Sequence, residues 1–185
     1  MACVLGPFCW ADTDIQECCR SRYLPVEYVN SAVRKLVRRS KGTFRLLSAF
    51  RLGDTGFAFA ANCGRYLKVL EIPTSEVNDK IVEKFAESLA NLTVLDISYC
   101  LKITHVGIEA VGKNCKSLIQ LKRNMPPPEL ERFSSILKLD DREAMVVADT
   151  MPLLQDLQLG FGCFGDFGLY AILAENKCHS SKEET

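Results

Sequence analysis

LTVLDISYCLKITHVGIEAVGKNC, residues 92–115, holds one strand and one helix in the space of a single structural unit. Leu95 and Ile97 alternate with Val94, Asp96 and Ser98, the period of a short strand with one buried face. Cys100 follows, and Ile103-Thr104 then opens a helical run whose apolar positions are Ile108 and Val111. Thr104 is a suitable N-cap, and Gly107 and Gly112 allow close packing without excluding a helix. A strand and a helix in about 25 residues cannot bury both apolar faces alone, so the unit implies neighbours of its own kind.

The neighbours are present on both sides. Leu67-x-x-Leu70-x-Ile72 repeats the strand signature 25 residues upstream, and Leu118-x-x-Leu121 recurs 26 residues downstream. Leu154-x-x-Leu157-x-Leu159 comes 36 residues later, which requires an insertion, and Phe44-x-x-Leu47-x-Ala49 is a degenerate first copy. Asn62-Cys63 and Asn114-Cys115 close helical segments in the same register. Spacings of 23 to 26 residues fall within the range of leucine-rich repeats. The expected fold is an α/β, short leucine-rich-repeat solenoid of the cysteine-containing type, with four to five strand-loop-helix repeats.

The pattern Cys-x-x-Leu-x-x-Leu-x-Leu-x-x-Cys-x-x-Ile-Thr-x-x-Gly, closing on a further Cys, resembles the leucine-rich repeat of F-box proteins, the substrate receptors of SCF-type ubiquitin ligases. Cys115-Lys-Ser-Leu118, Leu121-Lys-Arg-Asn124 and the insertion after them are similar to a plant group of F-box/leucine-rich-repeat proteins. The likeness spans roughly Phe8 to Cys178. Gly6-Pro7-Phe8-Cys9-Trp10 is similar to the run that ends the F-box, so the chain is expected to begin where that box finishes. The resemblance implies a non-catalytic protein that recruits a protein target for ubiquitination and proteasomal degradation, in the nucleus or cytoplasm. It also implies engagement of a Skp-type adaptor and cullin once an F-box is supplied, with Pro7, Phe8 and Trp10 nearest the adaptor. A free-standing interaction scaffold, or a truncated decoy that binds targets without the ligase, is the alternative.

Twenty-three basic and 23 acidic residues balance, so bulk charge offers no argument for nucleic acid or a membrane as partner. No apolar run is long enough to span a bilayer, and the N-terminus lacks the basic start of a signal peptide. The nine cysteines are therefore expected to be reduced and mostly buried.

Residues 1–41 read as an N-terminal cap and 42–178 as the repeats, with an insertion at about 125–140 and a polar tail at 179–185. Trp10 would plug the solenoid's open end. Tyr28 to Lys41 has one apolar face, Val29, Val33, Leu36 and Val37, and an opposite basic face of Arg34, Lys35, Arg38, Arg39 and Lys41. That basic face reads as a solvated surface, a nuclear-import signal, or a site for phosphate or an acidic partner. Gly42 is expected to cap this helix, and Asp54 and Asn78-Asp79 stand where Thr104 stands in the central repeat. Pro73 should stop the second copy's strand. Arg123 falls where an aliphatic residue should face the core, and the delayed helix of its repeat is expected at Glu143 to Met151.

The chemistry of an enzyme is thin. His179 lies in the tail, His105 in what reads as a variable loop, and Cys18-Cys19 is badly spaced for one tetrahedral metal ion. Gly160 to Gly165 matches a dinucleotide fingerprint formally, but only about ten polar residues follow Glu175, too few for the strand and acid that motif needs. Asp166-Phe167-Gly168 imitates a kinase motif without its catalytic loop. Cys100 and Cys115 occupy ladder positions that suit small buried side chains. No cofactor and no metal site is expected. What remains is the concave face, where side chains alternating with the core leucines are Glu71, Asp96, Lys122, Asp156 and Gln158, with Tyr99 at the rim. Five strands at about 4.8 Å make a surface about 20 Å across, enough for a peptide or one protein patch.

Overall fold

Each strand is three residues long, and the middle residue points inward. The computed structural model describes residues 12–127, 139–162 and 164–175. Pro7, Phe8, Trp10, residues 128–138 of the insertion and the tail with His179 lie outside them. The described chain alternates β1 (Asp12–Asp14), α1 (Gln16–Ser21), α2 (Val26–Arg39), β2 (Leu46–Ser48), α3 (Asp54–Cys63), β3 (Val69–Glu71) and α4 (Asp79–Phe85). It continues through β4 (Val94–Asp96), α5 (His105–Asn114), β5 (Gln120–Lys122), α6 (Arg142–Thr150), β6 (Asp156–Gln158) and α7 (Asp166–Glu175). The strands form one parallel sheet in the order β1-β2-β3-β4-β5-β6, and consecutive helices from α2 onwards pack side by side behind it.

The inward ladder runs Thr13, Leu47, Leu70, Leu95, Leu121 and Leu157 in strict register. A second ladder, Phe44, Leu67, Leu92, Leu118 and Leu154, is buried before each of β2 to β6, so two apolar layers run from β2 to β6. Helix faces close the core: Val29, Val33 and Val37 from α2, Phe57 and Ala60 from α3, Val82 from α4, Ile108 and Val111 from α5. Each repeat's buried area is shared with its neighbours, which is why no repeat folds alone.

β1 adds a sixth strand to the five leucine-marked copies, and the segment read as a cap is thus partly a strand of the sheet. α2 spans Val26–Arg39, and Gly42 is not its cap: Ser40 takes that place, its hydroxyl donating to the Val37 carbonyl at 2.7 Å. Lys41 and Gly42 then turn the chain with φ of 51° and 78°. α4 passes into a 3₁₀ turn at Ala86–Leu89. His105 is the first residue of α5, not part of a loop, because Thr104 caps that helix by accepting from the Val106 N–H. Asp54 likewise lies inside α3, whose cap is Gly53. β3 ends at Glu71, two residues before Pro73, and α6 starts one residue before Glu143.

Asp54's carboxylate instead reaches across to the next repeat, accepting from the Asn78 backbone and side-chain amides at 3.2 and 2.6 Å. The same device recurs along the array. Asn30 accepts from the Gly53 N–H, Asp79 from the Thr104 N–H and hydroxyl and the Gly107 N–H, and Asp141 from the Gly165 N–H. Each acceptor satisfies donors that a helix start leaves unpaired, and it ties one repeat's helix to the next.

One junction differs. Arg123 sits in the aliphatic row after Ala49, Ile72 and Ile97, and its side chain is nevertheless 2% exposed. Its guanidinium donates to the Cys100 and Ile103 carbonyls at 3.1 and 2.7 Å and pairs with Glu143 at 3.0 Å. The residue that breaks the leucine pattern is therefore a buried bridge between its own repeat, the preceding loop and α6. Close approach of α5 to α6 depends on Gly112, where a methyl group would run into the Thr150 hydroxyl.

Candidate protein-binding face

Parallel register turns the sequence positions of each strand into rows that cross the whole sheet. Glu71, Asp96, Lys122 and Gln158 align in one row with Asp14 and Ser48. Asp156 falls in the other, with Asp12, Leu46, Val69, Val94 and Gln120. The candidates are thus split between two stripes. The first carries three carboxylates, Asp14, Glu71 and Asp96, and one cation, Lys122, and the second has an apolar centre, Leu46, Val69 and Val94, each half-buried. Those three were legible as outward residues, since they alternate with Leu47, Leu70 and Leu95, but an aliphatic residue in a strand is easily assigned to the core. On the other side of the apolar stripe stand exposed Arg45 and Lys68. Six strands at about 4.8 Å make this face about 24 Å across.

Tyr99 stands at the rim, 41% exposed and with φ of 61°. Arg51, Thr74 and Phe161 hold the same repeat position and the same left-handed backbone, at 61°, 59° and 55°. Such a conformation costs a non-glycine residue about 1–2 kcal/mol. It is retained because the N–H groups of Arg51, Thr74 and Tyr99 donate to Pro73, Ser98 and Asn124 of the following repeat. Glycine would make the same turn more cheaply, so side chains kept here point to a use for them.

Beyond the rim at Phe161 lies an apolar groove of about 450 Å³, floored by Arg123 and Glu143 and walled by Met125, Leu139, Phe161 and Phe164. Asp140 marks its edge; hydrogen bonds from Arg142 hold that carboxyl down at about 2, so it is charged throughout the ordinary pH range. Asp96 turns one oxygen to the Ser98 N–H at 2.9 Å, which orients the carboxylate in the middle of the face.

Among the described residues, no group of three or more His, Cys, Asp or Glu side chains could hold a metal ion, and no helix is long and apolar enough to cross a membrane. The Gly160 N–H, which a dinucleotide phosphate would need, already donates to the Asn124 side chain at 2.8 Å. Cys100 and Cys115 are buried against backbone carbonyls, their thiols donating to Ile72 and Leu89. Burial pushes them up to about 11 and about 12, away from the thiolate that nucleophilic chemistry requires.

Three-residue parallel strands backed by one helix per repeat, with their outward residues in rows, define a leucine-rich-repeat solenoid. A tropomodulin C-terminal domain from Caenorhabditis elegans superposes with a TM-score of 0.55 over 80% of this chain and 91% of that one, at 8% identity, a likeness of fold alone. No protein-family model matches the chain. Several Arabidopsis thaliana proteins are similar in sequence. F-box protein FBW2 is 38% identical, aligned over 92% of this chain and 53% of its own length. F-box protein SKIP1 is 31% identical over 78% of this chain and 51% of its length, and putative F-box/LRR-repeat protein 23 is 28% identical over 90% and 36%. The chain is similar to plant F-box and F-box/leucine-rich-repeat proteins, and it spans about half the length of the first two relatives.

Proposed function

We propose that this chain is the target-recognition part of a substrate receptor for an SCF-type ubiquitin ligase. It holds a protein target on the concave face for ubiquitination and proteasomal degradation, and a Skp-type adaptor and cullin supply the ligase when an F-box is present. It acts as a non-catalytic adaptor in the nucleus or cytoplasm. The observation that supports this reading best is the striped face: an apolar centre at Leu46, Val69 and Val94 beside the carboxylates of Glu71 and Asp96, the second of them oriented by the Ser98 N–H. An apolar core with a charged border is how protein interfaces combine affinity with selectivity. The partner chemistry this favours is a protein segment carrying an aliphatic or aromatic side chain next to a Lys or Arg.

The test joins an F-box to the N-terminus, assembles the product with adaptor and cullin, and compares proteins captured and ubiquitinated by the native face and by Glu71→Lys/Asp96→Lys. A set of proteins ubiquitinated only with the native face is expected, at an unchanged melting temperature. If the captured set is indifferent to the reversal, the concave face is not the recognition surface. If capture depends on the face but no ubiquitination follows, the chain is a free-standing scaffold or decoy.

A further inference from the structure

The outer surface of α2 and α3 carries a second, differently charged feature. α2 turns Val29, Val33 and Val37 to the core and leaves Arg34, Lys35 and Arg38 exposed. Lys41 follows the helix, and Arg65 lies just beyond α3. Several basic side chains elsewhere meet carboxylates: Arg20 with Glu17, Lys102 with Glu76, Lys113 with Glu109, Arg142 with Asp140. Among the described residues Arg34, Lys35, Arg38, Lys41 and Arg65 make no such pair.

These five groups surround two adjoining depressions. One, of about 430 Å³, is lined by Arg34, Lys35 and Arg38 together with Asn30, Ser31 and Thr55. The other, of about 310 Å³, is lined by Arg38, Lys41 and Arg65, so Arg38 belongs to both and the pair forms one groove. Phe59 organises its wall. Arg34 and Arg38 lie over the same ring, 5.4 and 5.5 Å from its centroid, which restricts both guanidiniums while leaving their N–H edges free. Two cations gathered on one ring repel each other, and neither is in an ion pair with a carboxylate among the described residues; an anion in the groove would offset that repulsion.

We infer that this groove binds an acidic peptide segment of a protein partner, on the opposite side of the solenoid from the concave face. A short segment fits better than a long polyanion. From Ser31 to Lys41 the helix advances roughly 15 Å, the length of about five extended residues. Glu27, at the other end of the first depression, closes the site to continuing negative charge. The chain's zero net charge also gives no field to draw in a nucleic acid or an anionic bilayer. The neutral donors of Asn30, Ser31 and Thr55 are suited to a peptide backbone beside the carboxylates. The inference does not depend on the ligase reading.

The experiment measures fluorescence anisotropy of labelled hexaglutamate with the full chain at low ionic strength. Saturable binding is expected, weakened about tenfold or more by Arg34→Gln/Arg38→Gln. Lys35→Glu/Lys41→Glu, which leaves Phe59 and its stacked arginines in place, should weaken it comparably, while Lys68→Glu on the concave face should not. No binding, or binding indifferent to both double substitutions, overturns the proposal. So does tighter binding of a single-stranded RNA or of phosphatidylserine vesicles with the same dependence on Arg34 and Arg38, which would make the groove a site for those polyanions.

Discussion

Replacing Arg123 tests whether the break in the leucine pattern is a structural bridge. Its side chain, 2% exposed, makes two hydrogen bonds to backbone carbonyls and an ion pair with Glu143, which is itself 31% exposed. Removing one partner of a fully buried pair costs about 3–5 kcal/mol; the partial hydration available to Glu143 lowers that share. The orphaned Cys100 and Ile103 carbonyls add about 1–3 kcal/mol together, and truncation to alanine leaves a cavity as well. Arg123→Ala should therefore destabilise by about 3–5 kcal/mol, which for a chain of this size is roughly a 10 °C fall in Tm. Arg123→Met retains most of the volume and should cost less, about 2–3 kcal/mol. Urea unfolding followed by far-ultraviolet circular dichroism gives both values on one scale. A loss below about 1 kcal/mol for alanine would show that the bridge holds nothing, and a larger loss for methionine than for alanine would show that volume, not hydrogen bonding, is wrong in this account.

Leu95→Ala, in the middle of the inward ladder at 3% exposure, should cost about 2–5 kcal/mol in the same assay; a near-neutral result would contradict the register of β4. Gly112→Ala should invert the usual preference for alanine inside a helix and lose about 1–3 kcal/mol, because the added methyl meets Thr150; a gain in stability would mean that α6 can step aside. The Cys100 and Cys115 thiols are raised in the folded state, so the stability they contribute is complete below their unfolded value of about 9 and is lost as pH climbs towards 11 and 12. In keeping with that, iodoacetamide at about pH 8 should label exposed Cys18 quickly and these two only when the chain opens, as peptide mapping would show. Labelling of Cys100 in the folded protein at the rate of Cys18 would refute its burial.

The solenoid is legible wherever a leucine marks the ladder, because burial of the middle strand residue dictates that residue type. β1 escapes for the same reason: its inward residue is Thr13, flanked by Asp12 and Asp14, and among the described residues β2 is its one neighbouring strand. The close of α2 is misread because glycine advertises a left-handed turn, while the Ser40 hydroxyl and the left-handed Lys41 had already ended the helix. Arg123 announces a departure from the pattern but not its meaning, since the sequence does not reveal that Glu143 and two carbonyls converge on it. On the concave face, period two locates the outward positions, and only the register between strands sorts Asp156 from Glu71 and Asp96. The left-handed row through Tyr99 could not be anticipated, because arginine, threonine, tyrosine and phenylalanine share no preference for that backbone.

The acceptors that reach from one helix start to the next also bear on how such an array can change by duplication. A repeat that carries Asp54 or Asp79 presents its successor with a ready acceptor for the backbone amide at the start of a new helix. The unit containing Arg123 is keyed instead to the Cys100 and Ile103 carbonyls behind it and to Glu143 ahead of it. Transplanted elsewhere, it would bury a cation without its counterpart. Duplication of a unit before β5 should therefore disturb the array less than a break across β5, where the contacts of Arg123 with Cys100, Ile103 and Glu143 would be lost.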